Sequence, residues 1–63
     1  MKRRDLERHL RAHGARLDRH GSRHDWWVSQ DGRATVPRHN EVKASLVRAI
    51  CAQLKLPPPP NPR

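Results

Sequence analysis

The sequence predicts a small α+β domain with the element order αβββα. Three observations support this prediction: apolar residues at helical spacing near each end, two turn signals between them, and no long helical pattern in the middle. Two helices can cover one face of a three-stranded antiparallel sheet and leave the other face open. We expect both helices on one face in a single domain over residues 1–56, followed by a proline-rich, disordered tail over 57–63.

The first helix is predicted over residues 3–13. Leu6 and Leu10 lie four positions apart among charged residues, and Gly14 follows as a stop signal. Asp5 and Glu7 stand in the first turn, where carboxylates suit the positive end of the helix dipole. The helix should therefore be amphipathic, with a narrow apolar stripe.

Three short strands are predicted at about 16–19, 23–29 and 33–36. The first two are separated by His20-Gly21-Ser22 and the last two by Asp31-Gly32. Asp-Gly is a strong hairpin signal, because the turn that matches strand twist needs positive φ at both central positions. Pro37 should end the third strand, since it cannot donate a ladder hydrogen bond.

The second helix is predicted from residue 41 to about Leu56. Either Asn40 or Ser45 could cap its start, because each can accept a hydrogen bond from a free backbone N–H. Cys51 falls on the apolar face and is interpreted as a core residue rather than a nucleophile. The apolar face is formed by Val42, Leu46, Val47, Ile50, Cys51 and Leu54.

The composition is strongly basic. Fourteen Lys and Arg against six Asp and Glu leave a formal charge of +8, which predicts a polyanion or an acidic protein as partner. No apolar run approaches the roughly 20 residues of a membrane span. We expect a cytoplasmic protein with no membrane partner, in which a lone reduced cysteine is ordinary.

The two aromatic residues, Trp26 and Trp27, are adjacent in the second strand. Strand alternation groups His24, Trp26 and Val28 on one face, so one tryptophan faces the helices and the other does not. An outward tryptophan on a basic sheet offers a stacking surface for an unpaired base. The alternative is that both rings pack into a core that is short of large residues.

His24 is the candidate catalytic residue. Imidazole titrates near neutral pH, so it can take a proton from a ribose 2′-hydroxyl or give one to a leaving 5′-oxygen. Nearby arginines would hold the phosphate and offset its developing charge. The alternative is an ordinary surface histidine. The arginines in question are Arg19, Arg23, Arg33 and Arg38.

A metal site is the other possibility for the histidines. His9 and His13 lie four apart on the first helix, but no carboxylate or cysteine stands at a spacing that completes a zinc site. His20 and His24 are also four apart, but they straddle a turn. The pattern favours a solvated helix face for His9 and His13, and we expect neither metal nor cofactor.

The segments "MKRRDLERHLRAHGARLDRHGSRHDWW", "QDGRATVPRH" and "SLVRAICAQL" resemble HicA-type toxins, the small mRNA interferases of bacterial HicAB toxin–antitoxin modules. The resemblance runs from Met1 to about Leu56. Its most specific parts are Gly21, Ser22 and His24, the aromatic Trp27 three residues later, and Thr-Val-Pro at 35–37. Many members place a histidine directly after Gly-Ser, where this chain has Arg23, so His24 is matched through the aromatic residue. HicA-type toxins commonly have Gly-Thr before the last helix, where this chain has Ala44-Ser45.

The resemblance implies a fold similar to a double-stranded-RNA-binding domain. It also implies a metal-independent, ribosome-independent endoribonuclease that cleaves mRNA with one histidine, a role that maps onto His24. The expected partner is a HicB-type antitoxin that covers the site, and operator DNA would be bound only through the antitoxin complex. Together with the arginines above, Trp27 is the expected RNA contact, and Gly21 and Ser22 form the turn.

Three functions are therefore weighed. The first is an endoribonuclease toxin that uses His24 and inhibits translation and growth. The second is a non-catalytic RNA-binding module of the same fold, and the third is a structural or DNA-binding subunit that acts only through its partner. The source of a second proton-transfer group stays open, with His20 and His39 as candidates.

Overall fold

The structure, a computed structural model, describes residues 1–60 and confirms the αβββα order. The three strands form one antiparallel sheet in the order β1-β2-β3, so β2 is the central strand. Each predicted element lies within a few residues of its expected place. The elements are α1 Arg3–Ala12, β1 Arg16–His20, β2 His24–Val28, β3 Arg33–Pro37 and α2 Ala44–Gln53.

Both helices pack on the same face of the sheet. Trp27 and Ala34 are cross-strand partners and therefore share a face, and both belong to one buried cluster with residues of both helices. Trp27 is the only aromatic residue in this core, because the chain has no Phe or Tyr and Trp26 is exposed. The remaining buried apolar residues are Leu6, Leu10, Ala15, Val36, Val42, Val47, Ile50, Cys51 and Leu54.

The predicted apolar face of the second helix is partly wrong. Val42 is buried, but it precedes α2 and exchanges hydrogen bonds with Met1, at 2.8 Å from Val42 N to Met1 O and 3.0 Å from the α-amino group to Val42 O. Leu46 is 40 % exposed. Cys51 is fully buried, as expected, and desolvation raises the pKa of its thiol, which disfavours the reactive thiolate.

The predicted side-chain caps of α2 are also wrong. Lys43 is the N-cap residue, in an extended conformation, and makes no side-chain capping bond. Asn40 instead contributes its backbone carbonyl, which accepts a 2.8 Å hydrogen bond from Arg3 N–H at the start of α1. A helix begins with backbone donors that lack partners inside the helix, and the loop before α2 satisfies one of those of α1.

The hairpin between β2 and β3 is in the predicted place, but the predicted reason for it is wrong. Ser29 N–H donates to Gly32 O at 2.8 Å, so the linking residues are Gln30 and Asp31. Neither Asp31 nor Gly32 has positive φ. Gly32 is needed for a different reason, because a Cβ there would overlap the backbone carbonyl oxygen of Gln53 in α2.

This turn is also bound to the end of α2 by a side chain. The Ser29 hydroxyl donates a 2.6 Å hydrogen bond to Leu54 O, beside the close approach at Gly32. The backbone of the turn and the backbone of the helix are thus in direct contact. The β2–β3 end of the sheet is therefore fixed to the helical layer.

The first residues after the domain lie against it. Pro57 O accepts a 2.8 Å hydrogen bond from His9 Nε2–H, and Pro59 is buried. Both prolines belong to the segment that is predicted to be a disordered tail from residue 57. Residues 61–63 of that tail lie outside the described residues. No helix within residues 1–60 has the length and apolar character needed to cross a membrane.

Gly32→Ala should destabilise the domain by about 1–3 kcal/mol, because the added methyl group must displace the Gln53 backbone. Urea denaturation followed by circular dichroism measures the change. Asp31→Ala, at an exposed position of the same turn, is the control and should unfold like the wild type. Equal midpoints for the two variants would contradict the close approach of turn and helix.

Candidate functional site

The face of the sheet opposite the helices, here called the open face, is basic. Side chains alternate along a strand, and directly paired residues share a face, so the pairings identify its members. Trp26 pairs with Arg19 on one side and Thr35 on the other, and Val28 lies between Arg16 and Arg33. The open face therefore carries His24, Trp26, Val28 and Thr35 with Arg16, Arg19 and Arg33.

His24 is exposed and opens β2, at one end of this face. Its carbonyl accepts a 2.8 Å hydrogen bond from Gly21 N–H, which closes a turn over Ser22 and Arg23. A Cβ on Gly21 would overlap the His24 carbonyl oxygen, which explains the glycine of the Gly-Ser segment. The turn that carries the candidate histidine is thus tight and sterically specific.

The structure assigns different positions to the two tryptophans. Trp26 is 39 % exposed on the open face, and the Arg19 guanidinium carbon lies 5.1 Å from its ring centroid. Trp27 is 1 % exposed, with the Arg11 guanidinium carbon 4.9 Å from its ring centroid. The expectation that Trp27 contacts RNA is wrong, because a ring enclosed in the core has no face free for a base.

The predicted arginines do not all lie together. Arg19 and Arg33 are on the open face, and Arg23 is exposed in the turn before His24. Arg38 supports that turn, since its Nη1 donates to Gly21 O at 3.1 Å. Sequence reasoning missed Arg16, which lines an open groove of about 550 Å³ with Arg19, Trp26 and Arg33. The strand register places Arg16 there, and no local motif marks it.

A second histidine lies at the same end of the sheet. His20 Nδ1 is 3.0 Å from Asp25 Oδ1, and the same oxygen lies 3.8 Å from Arg38 Nε. Asp25 is buried, whereas the His20 side chain is 64 % exposed. No local sequence signal marks this pair, because the two residues are five positions apart and meet only through the cross-strand pairing of β1 with β2.

His9 and His13 stack on α1 with ring centroids 4.3 Å apart. Each donates a ring N–H to a carbonyl, His9 to Pro57 O and His13 to His9 O. Across residues 1–60 no group of three or more His, Cys, Asp or Glu side chains is arranged to hold a metal ion. The two rings thus make structural contacts on the helix surface.

Comparison with known proteins identifies one family. The model of a family described as "HicA toxin of bacterial toxin-antitoxin" matches residues 3–56, which include every helix and strand of the domain. Neither the curated proteins nor the solved structures contain a significant match.

The matched segment includes the Gly21–His24 turn and the β2–β3 hairpin as well as both helices, so the likeness covers the whole αβββα unit. The family's description names a toxin of a bacterial toxin–antitoxin system. This chain belongs to the HicA toxin family of bacterial toxin–antitoxin systems.

Proposed function

We propose that this toxin is a metal-independent endoribonuclease that cleaves mRNA in the bacterial cytoplasm and so inhibits translation and growth. The observation that supports this most strongly is the placement of His24. It is an exposed imidazole at the end of a basic, open sheet face that also presents a tryptophan. An imidazole can transfer the protons in RNA cleavage, and a basic face with an exposed aromatic ring can bind the single strand beside it.

The imidazole supplies the proton transfer. The His24 side chain is exposed, and none of the side-chain hydrogen bonds among the described residues involves its ring, so its nitrogens are available to a substrate. A neutral ring can take the 2′-hydroxyl proton, which makes the 2′-oxygen a nucleophile toward the adjacent phosphorus. This chemistry needs no metal ion.

Arginines supply binding and charge stabilisation. Arg23 precedes His24 in the turn, and Arg19, Arg16 and Arg33 extend the positive charge along the open face. Guanidinium groups bind phosphate oxygens through two parallel hydrogen bonds and offset the negative charge that builds in the transition state. Trp26 stands among them as a surface on which a base can stack.

The antitoxin is proposed to be of the HicB type and to cover the open face. A net charge of +8 favours rapid association with an acidic partner, and such a partner would exclude mRNA by occupying the same surface. Operator DNA is proposed to be bound only through this complex.

A non-catalytic RNA-binding module is the second candidate. It is favoured by the Arg19–Trp26 contact at 5.1 Å, which orders an arginine and an aromatic ring into a binding surface without any catalytic group. The two candidates differ in whether RNA is cut, so one assay separates them.

His24→Ala should lower RNA cleavage by about 10²–10⁴-fold, the usual contribution of an acid–base group. Purified wild type and variant are incubated with a long RNA in EDTA, and the products are resolved on a denaturing gel. His13→Ala, which removes a histidine from α1, is the control and should cleave like the wild type. Undiminished cleavage by His24→Ala would reject the catalytic assignment, and intact RNA with the wild type would favour the binding module.

Trp26→Ala should weaken binding of a single-stranded RNA by about 1–3 kcal/mol, because one stacking surface is lost. Fluorescence anisotropy with a labelled oligonucleotide measures the affinity, and the His24→Ala background prevents cleavage during the titration. Leu46→Ala removes an exposed apolar side chain of α2 and is the matched control. Equal losses for both variants would contradict a specific role of Trp26.

A further inference from the structure

We propose that His20 is a second proton-transfer residue, oriented by Asp25, and that it protonates the leaving 5′-oxygen while His24 deprotonates the 2′-hydroxyl. This inference rests on the proposed ribonuclease function. It assigns a role to a buried carboxylate and an exposed imidazole that the reaction described so far does not use.

The His20 ring is oriented by a hydrogen bond at one of its two nitrogens, Nδ1. A carboxylate oxygen can only accept, so Nδ1 carries the proton in the 3.0 Å contact with Asp25 Oδ1. The other nitrogen, Nε2, is then the one that exchanges protons with a substrate. The side chain is 64 % exposed, so that nitrogen can reach a bound phosphodiester.

The carboxylate is itself held in place. Asp25 is 5 % exposed and stands on the central strand, with Arg38 Nε 3.8 Å from the oxygen that His20 contacts. Arg38 also donates to Gly21 O, and its backbone N–H donates to Arg23 O at 3.3 Å. One arginine therefore joins the Asp25–His20 pair to the turn that carries His24.

The two imidazoles have different neighbours. Nδ1 of His20 is occupied by the carboxylate of Asp25, so Nε2 is the nitrogen left for a substrate. The His24 side chain is exposed at the start of β2 and has no such carboxylate contact among the described residues. A ring held by a carboxylate is oriented before a substrate binds, which suits the delivery of a proton to one defined oxygen.

The two histidines flank the same short turn. His20 ends β1 and His24 begins β2, and the direct cross-strand partner of His20 is Asp25, the residue that follows His24. His20 shares the face of Asp25 and His24 lies on the open face. Because β1 is an edge strand, an RNA backbone that crosses this end of the sheet can meet both rings.

The reaction balances without a further reactant. His24 takes the 2′-hydroxyl proton as the 2′-oxygen bonds to phosphorus, and the bond from phosphorus to the 5′-oxygen breaks. His20 Nε2–H gives its proton to that 5′-oxygen. The products are a 2′,3′-cyclic phosphate and a 5′-hydroxyl, and the two histidines finish with their proton states exchanged until solvent restores them.

The test replaces the leaving oxygen by sulfur. The cut site of the wild type is mapped on a long RNA, and an oligonucleotide with a bridging 5′-sulfur at that linkage is compared with its ordinary counterpart. A thiolate leaves without being protonated, so the need for a general acid disappears. His20→Gln should lose about 10²–10⁴-fold on the ordinary linkage and lose little on the sulfur linkage. His24→Ala should lose activity on both.

Asp25→Asn tests the positioning role of the carboxylate and should show the same selective rescue with a smaller loss. If that buried substitution unfolds the protein, His20→Gln at an exposed position still decides the matter. His13→Gln is the control and should cut both substrates like the wild type.

Three results would overturn the proposal: full activity of His20→Gln on the ordinary linkage, an equal loss on both linkages, or 5′-phosphate ends in the products. Each of these requires a wild type that cleaves RNA. A wild type that leaves RNA intact would instead reject the proposed function itself, so the two failures are distinguishable.

Discussion

The buried Trp27 on the central strand determines which side chains face the helices and which lie on the open face. The chain has no Phe or Tyr, so this indole is the largest side chain available to the core, and it is 1 % exposed. Its position fixes the phase of the central strand, because side chains alternate between the two faces. Trp26 and His24 are consequently held on the open face, and Asp25 is held inside. The burial of Trp27 therefore determines both how the central strand packs and which side chains it presents to solvent.

Burial of Trp27 leaves its indole N–H without a hydrogen-bond partner among the described residues, while an arginine covers the ring. Trp27 Nε1 is buried and has no hydrogen-bond partner among residues 1–60, which is unfavourable for a polar group. The ring is covered by the Arg11 guanidinium of α1, at 4.9 Å from its centroid, so an arginine closes the core at this point. In a chain this short, which buries only about 60 % of its unfolded surface, one aromatic ring is a large share of the core.

The two ends of the sheet differ in what they are fixed to. At the β2–β3 turn, Gly32 and Ser29 lie directly on the end of α2, so the hairpin is held by the helical layer. At the β1–β2 turn the contacts run through side chains: Arg38 donates to Gly21 O and lies 3.8 Å from Asp25, and Arg3 of α1 donates to Arg38 O at 2.6 Å. The second end thus gathers charged and titratable side chains where solvent and a substrate can reach them. An antitoxin that binds there also stabilises a small domain by mass action.

The element order, the open sheet face and the grouping of His24, Trp26 and Val28 on one side of the central strand follow from the sequence alone, because hydrophobic periodicity and turn residues are local signals. Its likeness to HicA toxins, carried by short motifs, also predicted the family that the comparison found. Periodicity could not say which tryptophan faces inward, nor that Val42 lies outside α2, since both depend on how the layers pack. The resemblance implies that Trp27 contacts RNA, and the same packing encloses that ring in the core.

Other features depend on contacts between elements that are distant along the chain. Gly32 is required because the backbone of α2, more than twenty residues away in the chain, leaves no space for a Cβ atom. The residues of the turn alone do not predict this contact. The contact of His20 with Asp25 and the position of Arg16 both follow from the register of β1 against β2, including the shift between Leu17 and Arg19. Register is a relation between two strands, and the pattern within either strand does not specify it.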